Sequence, residues 1–334
     1  MENHRSRWFD VQSVPKSHIF SHEDRPGKEP VPVCRTIPIV DLGLQRLEMV
    51  RKIIEASREF GLFQVINHGM EESVIVEAIR VFKELFSMPA EEILKEANES
   101  GWVYMGSTSH GTKGGANLWR DNIKHPCHPL EECMKHWPRN PTRYREVIER
   151  YIVEIRRLSL RVLELISEGL GLEEGYLGGI SQVQILTASN YPPCPDPSLT
   201  LGVLKHVDHS LITILAQGNA RGLQVFKDGK WLGVEVVPNA FVVNIGSQLE
   251  IISNGKLRGA EHRVVTNQEV ARTTIATFIN PVPDCIIQPA EVLLTNSNPA
   301  LYPPLSFREF VNANKAFGPH TDALQNGVIS KISS

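Results

Sequence analysis

The sequence predicts a mainly β protein with α-helices, in which a largely helical first half leads into a β sandwich or barrel. Three stretches carry apolar residues at helical spacing: 45–60, 72–87 and 144–170. From Val183 onward, short apolar runs are separated by Gly, Pro, Asn or Asp about every ten residues, which is typical of a sandwich or barrel. We therefore expect a helical portion at residues 1–180, packed on a β core with a C-terminal tail at residues 181–334.

The helical portion is also expected to include two short strands and one irregular segment. Residues 37–42 and 61–69 are strand-like apolar runs. The second helix should stop near Pro89, because proline interrupts a helix. Residues 98–120 carry five glycines among Ser, Thr and aromatic residues without a clear period, which is typical of a loop or irregular strand that shapes a pocket or lid. The strands of the β core are expected at 185–186, 211–215, 223–226, 231–237, 240–245, 262–266 and 272–278.

Composition places the chain among ordinary globular proteins. It has 334 residues, 41% of them apolar and 22% charged, and a formal net charge of −3, so no feature favours nucleic acid or a membrane surface. No apolar run approaches the roughly 18 residues of a transmembrane helix. The first ten residues are polar, unlike a secretory signal. The five cysteines are scattered and odd in number, so we expect reduced thiols and a cytoplasmic protein.

A histidine and a carboxylate two residues apart suggest a metal site in the β core. On a strand, residues i and i+2 point to the same face, so His206 and Asp208 can aim two ligand atoms at one point. Together they would supply two-thirds of the facial triad that holds non-haem Fe(II). The third ligand is expected at His262, which begins a β-branched run. His209 would point away from the shared face, and the other histidines lie in helical, loop or tail context.

A candidate anion site follows the third histidine. Arg272 and Thr274 alternate on one predicted strand, so both side chains should face the same side. A guanidinium fork beside a hydroxyl is suited to bidentate binding of a carboxylate.

These residues lie within a longer ordered set of motifs that covers nearly the whole chain. The set resembles the plant-type 2-oxoglutarate- and Fe(II)-dependent dioxygenases. The segment Asp121 to Pro129 is among the features similar to hyoscyamine 6-hydroxylase-like enzymes of specialised metabolism. The motifs that carry the resemblance are IPIVDL at 37–42, residues 60–69, WRD at 119–121, NYPPCP at 190–195, HVD at 206–208, LITIL at 211–215, GLQV at 222–225, VNIG at 243–246, HRVV at 262–265, RTT at 272–274 and FINP at 278–281.

The resemblance implies a double-stranded β-helix, or jelly roll, that binds Fe(II) through His206, Asp208 and His262. It implies 2-oxoglutarate and O2 as co-substrates, with the distal carboxylate of 2-oxoglutarate held by Arg272, Thr274 and the hydroxyl of Tyr191. Ascorbate is a candidate stimulant. Phe278 matches a position that faces the substrate in relatives, although a residue of this kind can equally fill the core. The expected partner is a small-molecule substrate bound by a monomer, without nucleic acid or membrane.

Three positions depart from the family pattern. Thr274 replaces the usual serine but keeps the hydroxyl, so co-substrate binding should survive. Ser189-Asn190-Tyr191 replaces the more usual Asn-Tyr-Tyr and so lacks an asparagine that supports the site in relatives. Lys205 precedes the first metal histidine, where proline or a small residue is typical. Its amine could point outward, or it could line the mouth of the site and select an acidic substrate.

The function that follows is hydroxylation of a small specialised metabolite of alkaloid or phenolic type, coupled to oxidative decarboxylation of 2-oxoglutarate. Desaturation, ring closure or O-demethylation by the same iron-centred oxidant would use the same anchor residues. A catalytically silent jelly-roll binding protein is an alternative of another class. The presence of all three metal ligands and the arginine argues against it.

Overall fold

The structure, a computed structural model, describes residues 11–106 and 115–317. Three parts of the sequence interpretation lie outside these ranges. They are the polar start at residues 1–10, the section 107–114 of the expected pocket-shaping loop, and the tail from residue 318 that contains His320.

The helices follow the predicted periodicities. All three predicted helices are confirmed to within one residue at each end. The described helices are α1 (Arg46–Glu59), α2 (Glu72–Ser87), α3 (Ala90–Ser100), α4 (Leu130–Met134), α5 (Tyr144–Leu170), α6 (Tyr176–Ile180), α7 (Ser247–Ile252) and α8 (Phe307–Phe317), with 3-10 turns at Lys16–His18 and Glu291–Leu293. The long helix α5 buries one apolar face along its whole length, against α1 and α2.

The irregular segment expected at residues 98–120 is wrong in its first three residues, which belong to a helix that the sequence analysis missed. Pro89 does end helix α2, but it also caps the start of α3, which runs on to Ser100. Proline is tolerated there because the first N–H groups of a helix have no internal partner. Gly101 then ends α3 with a positive φ of 84°, and a short strand follows.

The strands form the predicted jelly-roll core. They are β1 (Val33–Cys34), β2 (Ile39–Asp41), β3 (Leu62–Ile66), β4 (Val103–Gly106), β5 (Asp121–Pro126), β6 (Val183–Tyr191), β7 (Val203–His206), β8 (Ile212–Ala216), β9 (Leu223–Lys227), β10 (Lys230–Val234), β11 (Phe241–Ile245), β12 (His262–Val264), β13 (Arg272–Asn280), β14 (Ile286–Ile287) and β15 (Leu305–Ser306). The larger sheet has the order β2-β3-β11-β8-β13-β6-β5-β4, and the smaller sheet has the order β1-β10-β9-β12-β7.

The two faces of the larger sheet pack against different partners. Ile214 and Ile275 belong to the main core that includes the helices. Their neighbours Leu215 and Ala276 instead join a second core with Val225 of the smaller sheet. Because side chains alternate along a strand, every second residue of β8 and β13 faces the space between the sheets. That space is where the candidate site lies.

Strands from the first half of the chain lie at both sides of the larger sheet. The four central strands β11, β8, β13 and β6 come from the β core. β3 pairs with the outer side of β11, and β5 pairs with the outer side of β6. The first half therefore does more than support the sheet with helices, because it supplies hydrogen-bond partners to both outer core strands.

Among the described residues, no helix combines the length and the apolar character that crossing a membrane would require. All five cysteines are free thiols, as predicted.

A buried histidine under the long helix should make the stability depend on pH. His125 is 2% exposed. Its Nδ1–H donates to the Pro126 carbonyl, and its Nε2 accepts from the Tyr144 hydroxyl at 2.7 Å. Burial lowers the pKa of His125 from 6.5 to about 4, against the opposing effect of the Pro126 hydrogen bond. The unfolded chain therefore binds a proton between these values that the folded chain does not bind.

We expect this histidine to contribute a loss of about 3 kcal/mol in the free energy of unfolding as the pH falls from 6.5 to 4. Above pH 6.5 its contribution should be flat. Urea unfolding of wild type and His125→Gln at pH 5 and pH 7 measures the difference in slope. His136→Gln, at an exposed position, is the control and should keep the wild-type slope. Equal slopes in wild type and His125→Gln would contradict the expectation.

Candidate active site

The two candidate metal histidines lie opposite each other on adjacent strands. His206 is the last residue of β7, His262 is the first residue of β12, and the two are register partners. Their rings are 4.3 Å apart between centroids. Asp208 lies just beyond the end of β7, so the prediction that it shares a strand face with His206 is wrong in mechanism. A turn brings it to the site, and the N–H of Ser247 holds that turn by donating to the Asp208 carbonyl at 2.8 Å.

Three ligand atoms converge in a way that suits one metal ion. Asp208 Oδ1 is 3.4 Å from His206 Nε2 and 3.8 Å from His262 Nε2. Two ligands bound at right angles to one ion would be about 3 Å apart. Each imidazole uses Nδ1 to donate to a backbone carbonyl, of Leu204 at 2.8 Å and of Ala260 at 2.9 Å. These bonds fix the tautomer and orient Nε2 toward the shared point.

The charges at this point also favour a cation. Burial opposes ionisation of Asp208, but His262 and His206 outweigh it and hold the pKa of its carboxyl below the usual range. Burial and the neighbouring His206 lower the pKa of His262 to about 4. Burial also lowers the pKa of His206. The hydrogen bond and the charge of Asp208 outweigh burial, so the pKa of His206 is raised. An ionised carboxylate beside a neutral His262 is the protonation state that a metal ion requires.

A close backbone approach fixes the turn that carries Asp208. A Cβ at Gly246 would lie 1.9 Å from the Ser210 carbonyl oxygen and 3.0 Å from that of Asp208. Gly246→Ala should therefore lower the free energy of unfolding by about 2–3 kcal/mol and weaken metal binding by displacing the turn. Urea unfolding and anaerobic metal titration measure both effects. Gly179→Ala is the control, since a Cβ there meets nothing within 4 Å. Unchanged metal affinity in Gly246→Ala would contradict the expectation.

The guanidinium of Arg272 is buried and held in one orientation by hydrogen bonds from Nε. Arg272 is 2% exposed, and its Nε donates to the carbonyls of Gln217 at 3.1 Å and Ala220 at 2.9 Å. Its two terminal nitrogens are buried without a hydrogen-bond partner among the described residues. Burial lowers the pKa of Arg272, although it does not neutralise an arginine. A buried fork without a partner is costly, so it indicates a carboxylate ligand that the fork would bind.

Thr274 lies on the same strand as Arg272, and Tyr191 lies on the strand next to it. Thr274 follows two residues later on β13, faces the same side as Arg272 and is buried. Tyr191 on β6 is the register partner of Arg272, with its ring centre 5.4 Å from the guanidinium carbon. A guanidinium and two hydroxyl-bearing side chains thus face the space between the sheets.

Phe278 lies on the same inward face of β13 as Arg272, toward the end of the strand that is next to Asp208. It lies opposite Thr213, which lies opposite Asn244, and Asn244 contacts the Asp208 carboxylate. Phe278 is partly exposed and belongs to neither of the two core clusters on the faces of the larger sheet. Of the two interpretations, this placement favours a pocket wall over a core filler.

Lys205 lies on the other side of its strand from the metal histidine. It is exposed and lines an outer surface cavity of about 260 Å³ together with Trp231 and Arg263. The alternation that turns His206 inward turns its neighbour outward. This placement favours the outward alternative over a role of Lys205 in selecting an acidic substrate.

The sequence reasoning missed a residue that contacts the metal point, the place where the ligand atoms of His206, Asp208 and His262 converge. Asn244 on β11 donates from Nδ2 to Asp208 Oδ2 at 3.1 Å. The available signal was a lone amide in the apolar run Phe241–Ile245, where a polar residue is buried only with a partner.

A two-histidine-one-carboxylate point and a buried arginine, placed between the sheets of a jelly roll, define a non-haem Fe(II) oxygenase. Two family models agree with this class. Residues 181–281 match the 2OG-Fe(II) oxygenase superfamily, and residues 37–140 match the N-terminal region of the non-haem dioxygenases in morphine synthesis. The chain belongs to the 2-oxoglutarate- and Fe(II)-dependent oxygenases, and it is a dioxygenase that uses Fe(II) and 2-oxoglutarate.

Relatives match along most of their length. The chain is 42% identical to hyoscyamine 6-dioxygenase of Hyoscyamus niger, over 92% of this chain and 93% of that protein. It is 36% identical to flavanone 3-dioxygenase 2 of Oryza sativa subsp. japonica, over 89% of each chain. A crystal structure of JOX2 in complex with 2OG, Fe and JA superposes with a TM-score of 0.84 and 33% identity, covering 100% of this chain and 98% of that one.

Proposed function

We propose that this dioxygenase hydroxylates a small specialised metabolite of alkaloid or phenolic type. The buried Arg272 fork carries the proposal. Its terminal nitrogens have no partner among the described residues, which indicates a co-substrate carboxylate in the space between the sheets. The similarity to relatives whose names state hyoscyamine and flavanone substrates supports the substrate class.

In this proposal, His206 Nε2, His262 Nε2 and Asp208 Oδ1 hold Fe(II). Arg272, Thr274 and Tyr191 bind the distal carboxylate of 2-oxoglutarate. The bound metal supplies the activation of O2 that accompanies decarboxylation of 2-oxoglutarate to succinate and the transfer of one oxygen atom to the substrate. The protein orients both molecules and excludes bulk water, because the guanidinium lies between two packed sheets. Phe278 would bound the substrate near the metal.

Desaturation, ring closure and O-demethylation would use the same anchor residues, so the products must distinguish them. Incubation of the protein with Fe(II), 2-oxoglutarate and extracts of its source tissue, with and without ascorbate, provides the test. Mass spectrometry should find a metabolite that gains one oxygen. Loss of two hydrogens or of a methyl group would instead favour the alternatives. Asp208→Ala is the control and should leave the extract unchanged.

A catalytically silent binding protein would form no succinate in any of these incubations. That result would overturn the proposed function. We also propose a cytoplasmic monomer without nucleic-acid or membrane partners, a view supported by the net charge of −3 and the five free thiols. Light scattering on the purified protein measures its mass against the 37.4 kDa of one chain.

A further inference from the structure

Asn244 lies on β11 of the larger sheet, in contact with the Asp208 carboxylate. The other residues of β11 are apolar and buried, and Asn244 itself is 2% exposed. A polar side chain in such a place needs a hydrogen-bond partner. Its Nδ2 donates to Asp208 Oδ2 at 3.1 Å, across 36 residues of sequence. A hydrogen bond to an ionised carboxylate is stronger than one between neutral groups.

The two oxygens of Asp208 therefore have different surroundings. Oδ1 faces Nε2 of both histidines, whereas Oδ2 faces the amide of Asn244. The carboxylate also sets the orientation of that amide, because the reverse orientation would put two oxygens in contact. In this orientation the amide oxygen of Asn244 is buried without a partner among the described residues. The Asn244 side chain thus donates to Asp208 through Nδ2, while its own acceptor, Oδ1, stays without a partner among the described residues.

This arrangement affects how many coordination positions of the metal remain open to other ligands. A carboxylate can bind a metal ion through one oxygen or through both. A six-coordinate ion held by three protein atoms has three positions left, and a second oxygen from Asp208 would occupy one of them. The hydrogen bond from Asn244 favours the arrangement in which Oδ2 stays away from the ion.

We propose that Asn244 is a positioning residue that presents one oxygen of Asp208 to the metal and withholds the other. The inference rests on the proposed metal ligands. Thr213, the register partner of Asn244 on β8, also helps to hold the pKa of the Asp208 carboxyl below its usual range through a side-chain hydrogen bond. Partners of this kind orient metal ligands, and their loss typically weakens metal affinity 10–100-fold.

Anaerobic titration of the metal-free full chain with Fe(II) alone tests the proposal without substrate or turnover. Asn244→Leu keeps the volume of the side chain and removes the donor. We expect its dissociation constant for Fe(II) to be about 10–100-fold higher than that of wild type. Adding 2-oxoglutarate at saturating Fe(II) should give a visible charge-transfer band. The variant should need a higher 2-oxoglutarate concentration to saturate this band, because a second Asp208 oxygen would compete for a coordination position on the metal.

Asn280→Leu is the matched control. Asn280 is also buried, but its amide faces the Phe278 carbonyl, so this variant should bind Fe(II) within about twofold of wild type. If circular dichroism shows that Asn244→Leu is unfolded, Asn244→Ser replaces it. Serine is too short to span the 3.1 Å bond, so the weaker affinity is again expected.

Fe(II) affinity within twofold of wild type in a folded Asn244 variant would overturn the inference and leave the proposed function intact. Wild type that binds no Fe(II) in the same titration would instead overturn the proposed metal ligands, and the inference with them. The two failures are therefore distinguishable.

Discussion

Replacement of Arg272 by leucine is expected to raise the KM for 2-oxoglutarate by about 10²–10⁴-fold. Each charge-assisted hydrogen bond contributes about 1.5–3 kcal/mol, and the fork would lose two of them. The melting temperature of the metal-free variant should change little. Leucine removes a buried charge whose terminal nitrogens have no partner among the described residues, but it also removes the Nε donor to the Gln217 and Ala220 carbonyls. Succinate formation at varied 2-oxoglutarate concentration and thermal unfolding measure the two effects.

Arg263→Leu is the matched control for this substitution. Arg263 is similarly buried, but it stacks on Trp231 at 4.2 Å and donates to Gln224, away from the space between the sheets. Its loss should lower the melting temperature and leave the KM for 2-oxoglutarate within about twofold. Arg272→Lys should give an intermediate KM because an ammonium lacks the planar fork. A KM near wild type in Arg272→Leu would place the co-substrate carboxylate elsewhere.

Replacement of His262 by alanine should remove Fe(II) binding and lower kcat by at least about 10³-fold. His262 is 5% exposed and its Nε2 faces Asp208, so the substitution removes one of the three ligand atoms that converge there. Anaerobic titration should show no charge-transfer band with Fe(II) and 2-oxoglutarate at concentrations that saturate wild type.

The control for this variant is His209→Ala. His209 is adjacent to Asp208 in sequence, yet its ring packs on Phe310 at 5.5 Å, outside the metal point. It should keep the band at wild-type intensity. A full-intensity band in His262→Ala would exclude this histidine as a ligand.

The helices were predictable because each buries a regular apolar stripe. The strands of the core were predictable because turn residues separate them. Helix α3 was missed, since Pro89 is compatible both with ending one helix and with starting the next. Strand β5 was missed because Asp121–Pro126 mixes charged, polar and apolar residues, and its strand state depends on pairing with β6.

The site was predictable in its members more than in its geometry. His206 and Asp208 do converge, but through a turn anchored by Ser247, and no periodicity reports such a turn. The geometry of Lys205 was predictable, because side-chain alternation from His206 already indicated the outward face of the strand. Asn244 could be recognised only as an unusual amide, since its partner lies 36 residues earlier in the chain.

The pairing of first-half strands with both sides of the core strands has a consequence for biosynthesis. Strands β3 and β5 leave the ribosome before their partners β11 and β6 exist. Until β11 and β6 emerge, the edges of β3 and β5 that pair with them are unsatisfied, and exposed strand edges promote association with other chains. Such long-range pairings also slow folding. We expect this protein to fold largely after synthesis and to depend on chaperones more than a helical protein of equal length.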